Sequence, residues 1–351
     1  MDNVNYQPKM LMRLVQDRVF ASDPFLLIDV GCAMGIHPLW RLFADDLHAH
    51  GFDAQEEECA RLQSQESNSN IRYHAAFIGL PQSDPFHQNR SGAKHIVGTP
   101  FSASHQLDRS STFLAAARKR SQAAAQPSCS RDATEQWQAG RLSPRTVAVS
   151  NFVDEHKLTG IDFVKIDTDG RDLEAAVSCR DAIRRTNILG FEIECVFAGT
   201  DDTTENSFHN VDAFMRDNGF SLYGLTAYRY SRAALPAQFL YPALYQTVSG
   251  QPVWGDMVYL RDGAASDYAA VWGGEELAPT KLLKLACLYE LFGLADCAAE
   301  LIVTHRDKLR DLVDPGLLLD LLTPPLGGVQ RSYGDYIRLF EENVEAFLPS
   351  P

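Results

Sequence analysis

Chemistry in this chain concentrates in a glycine turn and in acids that close apolar segments. Asp29 opens Asp-Val-Gly-Cys-Ala-Met-Gly, which sets Gly31 and Gly35 at GxxxG spacing with Cys32 between them. Glycine removes side chains from a turn and lets the backbone approach a ligand closely. Dinucleotide binders instead use GxGxxG, because a pyrophosphate is held by amides at a helix N-terminus. A GxxxG turn led by an acid suits a nucleoside that bears positive charge in place of phosphate. Asp53 follows the turn by roughly 20 residues, where a carboxylate at a second strand end can accept both ribose hydroxyls. That geometry serves NAD and other nucleoside cofactors alike. Each feature has a plainer reading too, as a strand-ending turn and a polar strand cap.

A third group of acids lies in Val-Lys-Ile-Asp-Thr-Asp-Gly, residues 164–170, with Lys165, Asp167 and Asp169, and in Phe-Glu-Ile-Glu-Cys, which adds Glu192 and Glu194. Unpaired charge at the end of a buried parallel strand is costly, so it has a reason to be there. In open α/β sheets the ligand sits beyond the carboxyl ends of the strands, where Asp167 emerges. The alternative is a structural pair between Lys165 and a carboxylate. Asp167, Asp169 and Glu194 have the oxygen chemistry of a Mg²⁺ site. Acid clusters at strand ends are more often solvated or paired with Lys and Arg, and no metal is expected.

The elements that must position these groups follow from hydrophobic period. Met10, Leu11, Leu14, Val15 and Val19 share one face of a helix. Phe25 to Val30 is a continuous apolar run, as in a strand buried on both faces of a parallel sheet. A helix is expected over 38–50 from Leu39, Leu42, Phe43 and Leu47, then a strand ending at Asp53, a helix over 55–65 and a third strand from Ile71 to Leu80. Alternation lapses over 81–145, an insertion with nine Lys or Arg against four Asp or Glu. A loop that long is usually a functional lid or disordered; one helix is expected in it, at Ser111 to Ala125. Arg118, Lys119 and Arg120 there could hold an anionic group on a substrate or form a solvated helix face.

Alternation returns with a strand and short helix from Thr146, a strand within Gly160 to Gly170, a helix over 171–185, a strand from Ile188 to Phe197 and a helix over 207–218. Two further strands, Phe-Ser-Leu-Tyr-Gly-Leu and Gly-Asp-Met-Val-Tyr-Leu-Arg-Asp, are expected to pair antiparallel at the sheet edge. This order predicts an α/β fold with a parallel sheet and right-handed crossovers. From Pro279 the pattern is helical, so residues 1–278 read as one domain and 279–351 as a helical extension. The tail could pack on the sheet domain, form a homodimer contact or stand as a small module.

Composition narrows the function classes. The 351 residues are 45% hydrophobic and 22% charged, with a formal net charge of −14, enough apolar material for a real core. An acidic chain repels phosphate backbones, which points to a small-molecule or saccharide partner and away from nucleic acid. Cys32, Cys59, Cys129, Cys179, Cys195, Cys287 and Cys297 form no CxxC pair, as expected of a reducing compartment. Neither a leader pattern nor a membrane-spanning run is visible, so a cytoplasmic location is expected.

Taken together, the motifs resemble the FkbM methyltransferases. Ile-Asp-Val-Gly-Cys-Ala-Met-Gly is similar to that family's strand followed by D-x-G-A-x-x-G, and Gly-Phe-Asp-Ala to its aromatic-acid motif, usually F-E-P. Val-Lys-Ile-Asp-Thr-Asp-Gly is similar to K-I-D-x-E-G, with Asp172 and Phe-Glu-Ile-Glu-Cys at comparable positions, and Thr-Val-Ala-Val-Ser-Asn-Phe-Val-Asp stands where T-L-D is usual. The likeness spans roughly 24 to 262 and leaves the tail uncovered; Cys32, Asp53 and Asp169 depart from the pattern. The resemblance implies a Rossmann-like seven-stranded methyltransferase sheet and S-adenosyl-L-methionine as cofactor, held by Asp29, Gly31, Cys32, Gly35 and Asp53. It also implies methyl transfer to a hydroxyl, commonly on a sugar, glycolipid or polyketide. An alcohol oxygen must lose its proton as the new bond forms; Asp167 is the first candidate for that base, followed by Glu194 and His37, although a lone His beside a turn is more often structural. Two rival readings are an NAD-dependent oxidoreductase on a similar fold and a binding or assembly protein that has lost activity.

Overall fold

A computed structural model describes residues 4–88, 143, 145–168, 170–197, 202–230, 238, 240, 247–272 and 276–348. The helix expected at 111–125, residues 118–120, Cys129 and Asp169 lie outside the described residues. The chain divides into two compact units, one of Leu26–Ile36 and Ala49–Leu260, the other of Asp2–Phe25, His37–His48 and Arg261–Pro351.

The first unit is built on a seven-stranded sheet. Its strands are β1 (Phe25–Val30), β2 (Leu47–Asp53), β3 (Ile71–Ala75), β6 (Phe163–Ile166), β7 (Gly190–Val196), β8 (Ser221–Tyr230) and β9 (Gln251–Leu260), with β4 (Phe77–Ile78) and β5 (Thr146–Val147) forming a separate parallel pair. The order across the sheet is β3-β2-β1-β6-β7-β9-β8. β1 with β6, β6 with β7 and β2 with β3 are parallel, whereas β9 runs antiparallel to both β7 and β8. The order reverses at β1, with β2 on one side and β6 on the other, and such a switch point opens a ligand crevice at the carboxyl edge. Phe25, Leu27, Ile28, Phe163, Val164, Ile166, Phe191 and Ile193 are all buried, as the continuous apolar runs require. This is a Rossmann-like architecture with a helical C-terminal region, in agreement with the expected fold.

Three local expectations are corrected. The helix over 38–50 is a short 3₁₀ segment, Trp40–Asp46, broken at Ala44 (φ 51°, ψ −125°), and Leu47 already belongs to β2. The strand expected over 71–80 leaves the main sheet after Ala75: Phe77 N–H donates to Arg145 O (2.9 Å) and Gly79 N–H to Val147 O (3.1 Å). The helix over 171–185 is two, Asp172–Val177 and Arg180–Arg185. Ser178, at the break, accepts Val149 N–H on Oγ (3.2 Å) and the Ser150 hydroxyl on its carbonyl (2.8 Å), tying the helix Val149–His156 to that point.

The second unit is helical, with Lys9–Gln16, Pro279–Leu291, Ala295–Thr304, Pro315–Leu322 and Tyr333–Glu342 as its main helices. The opening N–H groups of a helix lack intrahelical partners. Here the buried Glu290 carboxylate accepts two of them, from Met10 and Leu11, each at 2.9 Å. Buried Lys284 is satisfied by Asp23 Oδ1 (2.8 Å) and Pro24 O (2.9 Å). Phe25 stacks on Phe43 at 4.0 Å, and the Arg261 guanidinium lies 3.5 Å over the Trp272 ring. No helix among the described residues is long and apolar enough to cross a membrane.

Candidate functional site

The glycine turn is fixed by its own chain. Gly31 N–H donates to Phe52 O at 2.9 Å and Cys32 N–H to the same oxygen at 3.2 Å, which ties the end of β1 to β2. Gly31 has φ +84°, and a Cβ there would stand 1.7 Å from the Asp167 carbonyl oxygen. Gly35 has φ +83°, and a Cβ would press on Leu62 (3.2 Å) and the Tyr73 hydroxyl (3.3 Å). Both are in the left-handed region that favours glycine. The sequence pointed to ligand approach; the packing shows a second reason, because each missing side chain makes room for protein atoms. Tyr73 pins the turn further: its hydroxyl accepts Ile36 N–H (3.2 Å) and donates to Glu66 Oε2 (3.1 Å).

Asp53 closes β2. Its Oδ1 accepts Gln55 N–H (2.8 Å) just ahead of the helix Glu56–Gln65, and burial pushes its carboxyl above the usual range. Cys32 is buried, and burial with the nearby Asp29 and Asp53 raises its thiol far from ionisation, so it packs and does not act as a nucleophile.

The registers of β1, β6 and β7 align Asp29 with Lys165 and Lys165 with Glu192, so the three share one face of the sheet. Lys165 Nζ donates to Asp167 Oδ2 at 3.1 Å and lies 3.7 Å from Asp29 Oδ1, beyond hydrogen-bond reach. Asp29 is 2% exposed and its Oδ1 has no hydrogen-bond partner. Burial pushes the Asp29 carboxyl up to about 6, Lys165 pulling against the rise and Asp167 adding to it. Glu192 goes further, to about 8, through burial and then Asp256. Burial alone would lower the Lys165 ammonium, but Asp29, Asp167 and Glu192 outweigh it and hold the charge in place. The pair foreseen as structural thus exists, inside a larger set of acids.

Two residues on, Glu194 aligns with Asp256 of β9. Glu194 is buried, whereas the Asp167 side chain is 47% exposed. The loop carrying Asp167 is organised by Asp172. One of its carboxylate oxygens accepts Thr168 N–H (2.6 Å) and the Thr168 hydroxyl (3.1 Å), the other Gly170 N–H (3.0 Å) and Asn206 Nδ2 (2.7 Å). Burial still lifts Asp172 to about 6. His37 falls in the second unit, where its Nδ1 accepts Leu39 N–H at 3.2 Å, a turn-forming role. Among the described residues no group of three or more His, Cys, Asp and Glu side chains is arranged to hold a metal ion.

Sequence reading missed Tyr73, Asp256, Tyr228 and Trp254. The Tyr228 hydroxyl donates to Asp256 Oδ2 (3.0 Å), and its ring stacks on Trp254 at 4.0 Å. The alternation Trp254, Asp256, Val258 in β9 holds the pointer, since it puts an acid on the same face as an apolar neighbour.

Among known proteins, residues 48–222 match the family model described as the methyltransferase FkbM domain. The match opens within β2 and closes at the start of β8. Asp29, Gly31, Cys32 and Gly35 lie before it. No curated protein matches the chain.

Proposed function

The chain carries a methyltransferase FkbM domain at residues 48–222, and from that premise we propose that it is an S-adenosyl-L-methionine-dependent O-methyltransferase acting on a hydroxyl of a sugar, glycolipid or polyketide-like acceptor. One observation carries the proposal: among the described residues, a buried carboxylate oxygen of Asp29 has no hydrogen bond, with Lys165 3.7 Å away. An orphaned buried acceptor of this kind is costly unless a ligand completes it. The residues therefore fit a cofactor that is cationic and lacks phosphate. Asp29 favours its positive charge, Asp53 offers the carboxylate oxygen that Gln55 leaves over to the ribose, and the amide-pinned turn Gly31–Gly35 with Cys32 lines the approach.

When bound, adenosylmethionine supplies a methyl group on a sulfonium, open to displacement. The protein's task is to hold the acceptor oxygen in line and keep water away. Asp167 is the base in this account. Lys165 occupies its Oδ2, so Oδ1 is left to take the hydroxyl proton as the carbon–oxygen bond forms. Asp172 keeps that loop in place, and Glu194 stands behind it on β7. The partner is a small-molecule or saccharide acceptor, and the net charge of −14 disfavours nucleic acid. The helical tail serves as a homodimer contact in this reading, supported by Ile337, Phe340 and Val344, apolar yet exposed on its last turns.

A labelled-methyl screen against glycan and lipid extracts tests the proposal. Transfer to an acceptor hydroxyl is expected, falling roughly 100-fold or more in Asp167→Asn with cofactor affinity little changed. Label on no hydroxyl acceptor, or full activity in Asp167→Asn, contradicts it.

A further inference from the structure

The glycine turn presents one large side chain to the outside. Gly35 N–H donates to Cys32 O at 2.7 Å, which closes a four-residue turn with Ala33 and Met34 at its two central positions. The rest of the turn faces protein on three sides. A Cβ on Gly31 would meet the Asp167 carbonyl, and a Cβ on Gly35 would meet Leu62 and the Tyr73 hydroxyl. Cys32 Sγ lies 2.8 Å from where a Cβ on Gly51 of β2 would stand. Those contacts account for the loop after β6, for the helix Glu56–Gln65 with β3, and for β2. Ala33 and Met34 are left on the open side beyond the end of β1, where open α/β folds receive ligands. Met34 is 96% exposed, the highest value of any exposed large apolar side chain among the described residues.

Methionine is apolar, flexible and polarizable, so it moulds itself to a ligand surface. Oxidation turns that same side chain polar. Hydrogen peroxide can supply the oxygen. The thioether sulfur gives an electron pair to one peroxide oxygen, the O–O bond breaks, and the other oxygen leaves as water. Sulfur is oxidised by two electrons and the peroxide is reduced. Exposure decides which methionines react. Met10, Met215 and Met257 are fully buried, Met12 is 55% exposed on the helix Lys9–Gln16, and Met1 lies outside the described residues. Burial raises the thiols of Cys32, Cys59, Cys179, Cys195, Cys287 and Cys297 away from ionisation, which slows their own reaction with peroxide.

Resting on the adenosylmethionine reading above, we infer that Met34 packs on the bound cofactor and that its oxidation to the sulfoxide by hydrogen peroxide weakens cofactor binding. A sulfoxide there sets a polar oxygen against the ligand in place of an apolar thioether. The backbone beneath it is held, with the Gly31 and Cys32 amides on Phe52 O and the Ile36 amide on the Tyr73 hydroxyl. The turn therefore does not withdraw to relieve the mismatch.

The test treats the full chain with hydrogen peroxide, reverses thiol oxidation with dithiothreitol, locates sulfoxides by peptide mass spectrometry and titrates with adenosylmethionine by calorimetry. Conversion of Met34 is expected to weaken adenosylmethionine by about tenfold or more. Met34→Leu, close in volume, should show the same affinity before and after peroxide, whereas Met12→Leu should lose affinity on treatment as wild type does. Saturating adenosylmethionine should slow oxidation of Met34 severalfold and leave the rate at Met12 unchanged, a measurement that needs no variant. Full affinity in protein whose Met34 is sulfoxide, resistance of Met34 to peroxide, an equal loss in Met34→Leu, or no protection of Met34 by the cofactor overturns the inference. If untreated protein does not bind adenosylmethionine, the cofactor reading itself fails and takes the role of Met34 with it.

Discussion

At the scale of the residue, Asp29 is held at a cost. Its carboxyl, near 3.8 when unfolded, is raised to about 6 by burial, with Lys165 opposing. A raised acid favours the folded state below the unfolded value and loses that contribution as pH climbs through 6. Asp29→Asn is therefore expected to stabilise the protein at pH 8 by on the order of 1–3 kcal/mol and to leave it little changed at pH 4. Denaturant unfolding at the two pH values measures this. The same substitution should weaken adenosylmethionine by about tenfold, because it removes the charge that faces a cation. A variant that loses stability at pH 8 and keeps full affinity would show that Asp29 only supports the strand. Such opposition between stability and binding is what a functional carboxylate produces.

Among the elements, the loop after β6 carries the most consequence. Asp172 gathers Thr168, Gly170 and Asn206 around one carboxylate, so Asp172→Ala should cost about 2–4 kcal/mol in thermal or denaturant unfolding, and activity should fall further than stability alone explains. Asp172→Asn, which keeps one acceptor, should lie between. Equal stability of Asp172→Ala and wild type would remove the organising role. How much of this was legible depended on whether the information was local. Phe25–Val30 stood out as an apolar run, and the glycine turn as spacing, because each is written in consecutive residues. The helix read over 38–50 failed because Leu39, Leu42 and Phe43 keep helical spacing up to a break at Ala44 that no residue type announces. The strand read over 71–80 failed because pairing with β5 pulls Phe77–Ile78 out of the sheet, and pairing is decided far along the chain. For the same reason Asp29, Lys165 and Glu192 were each visible as chemistry, but their alignment was not. Trp254 and Tyr228 were invisible as a pair, since residues so distant in sequence meet only through β8–β9 register.

On the scale of the whole molecule, the sheet order β3-β2-β1-β6-β7-β9-β8 brings acids from distant segments to one face at one edge. Asp29 ionises near 6 and Glu192 near 8, so that face gains negative charge across this window and should hold a cation more tightly as pH rises. The most direct measurement is calorimetric titration of the full chain with adenosylmethionine and, separately, with NAD at pH 5 and pH 8, alongside Asp53→Ala. The account predicts that adenosylmethionine binds, more tightly at pH 8, that Asp53→Ala weakens it by about tenfold or more, and that NAD does not bind. Tight binding of NAD alone, or an Asp53→Ala variant with unchanged adenosylmethionine affinity, would contradict it.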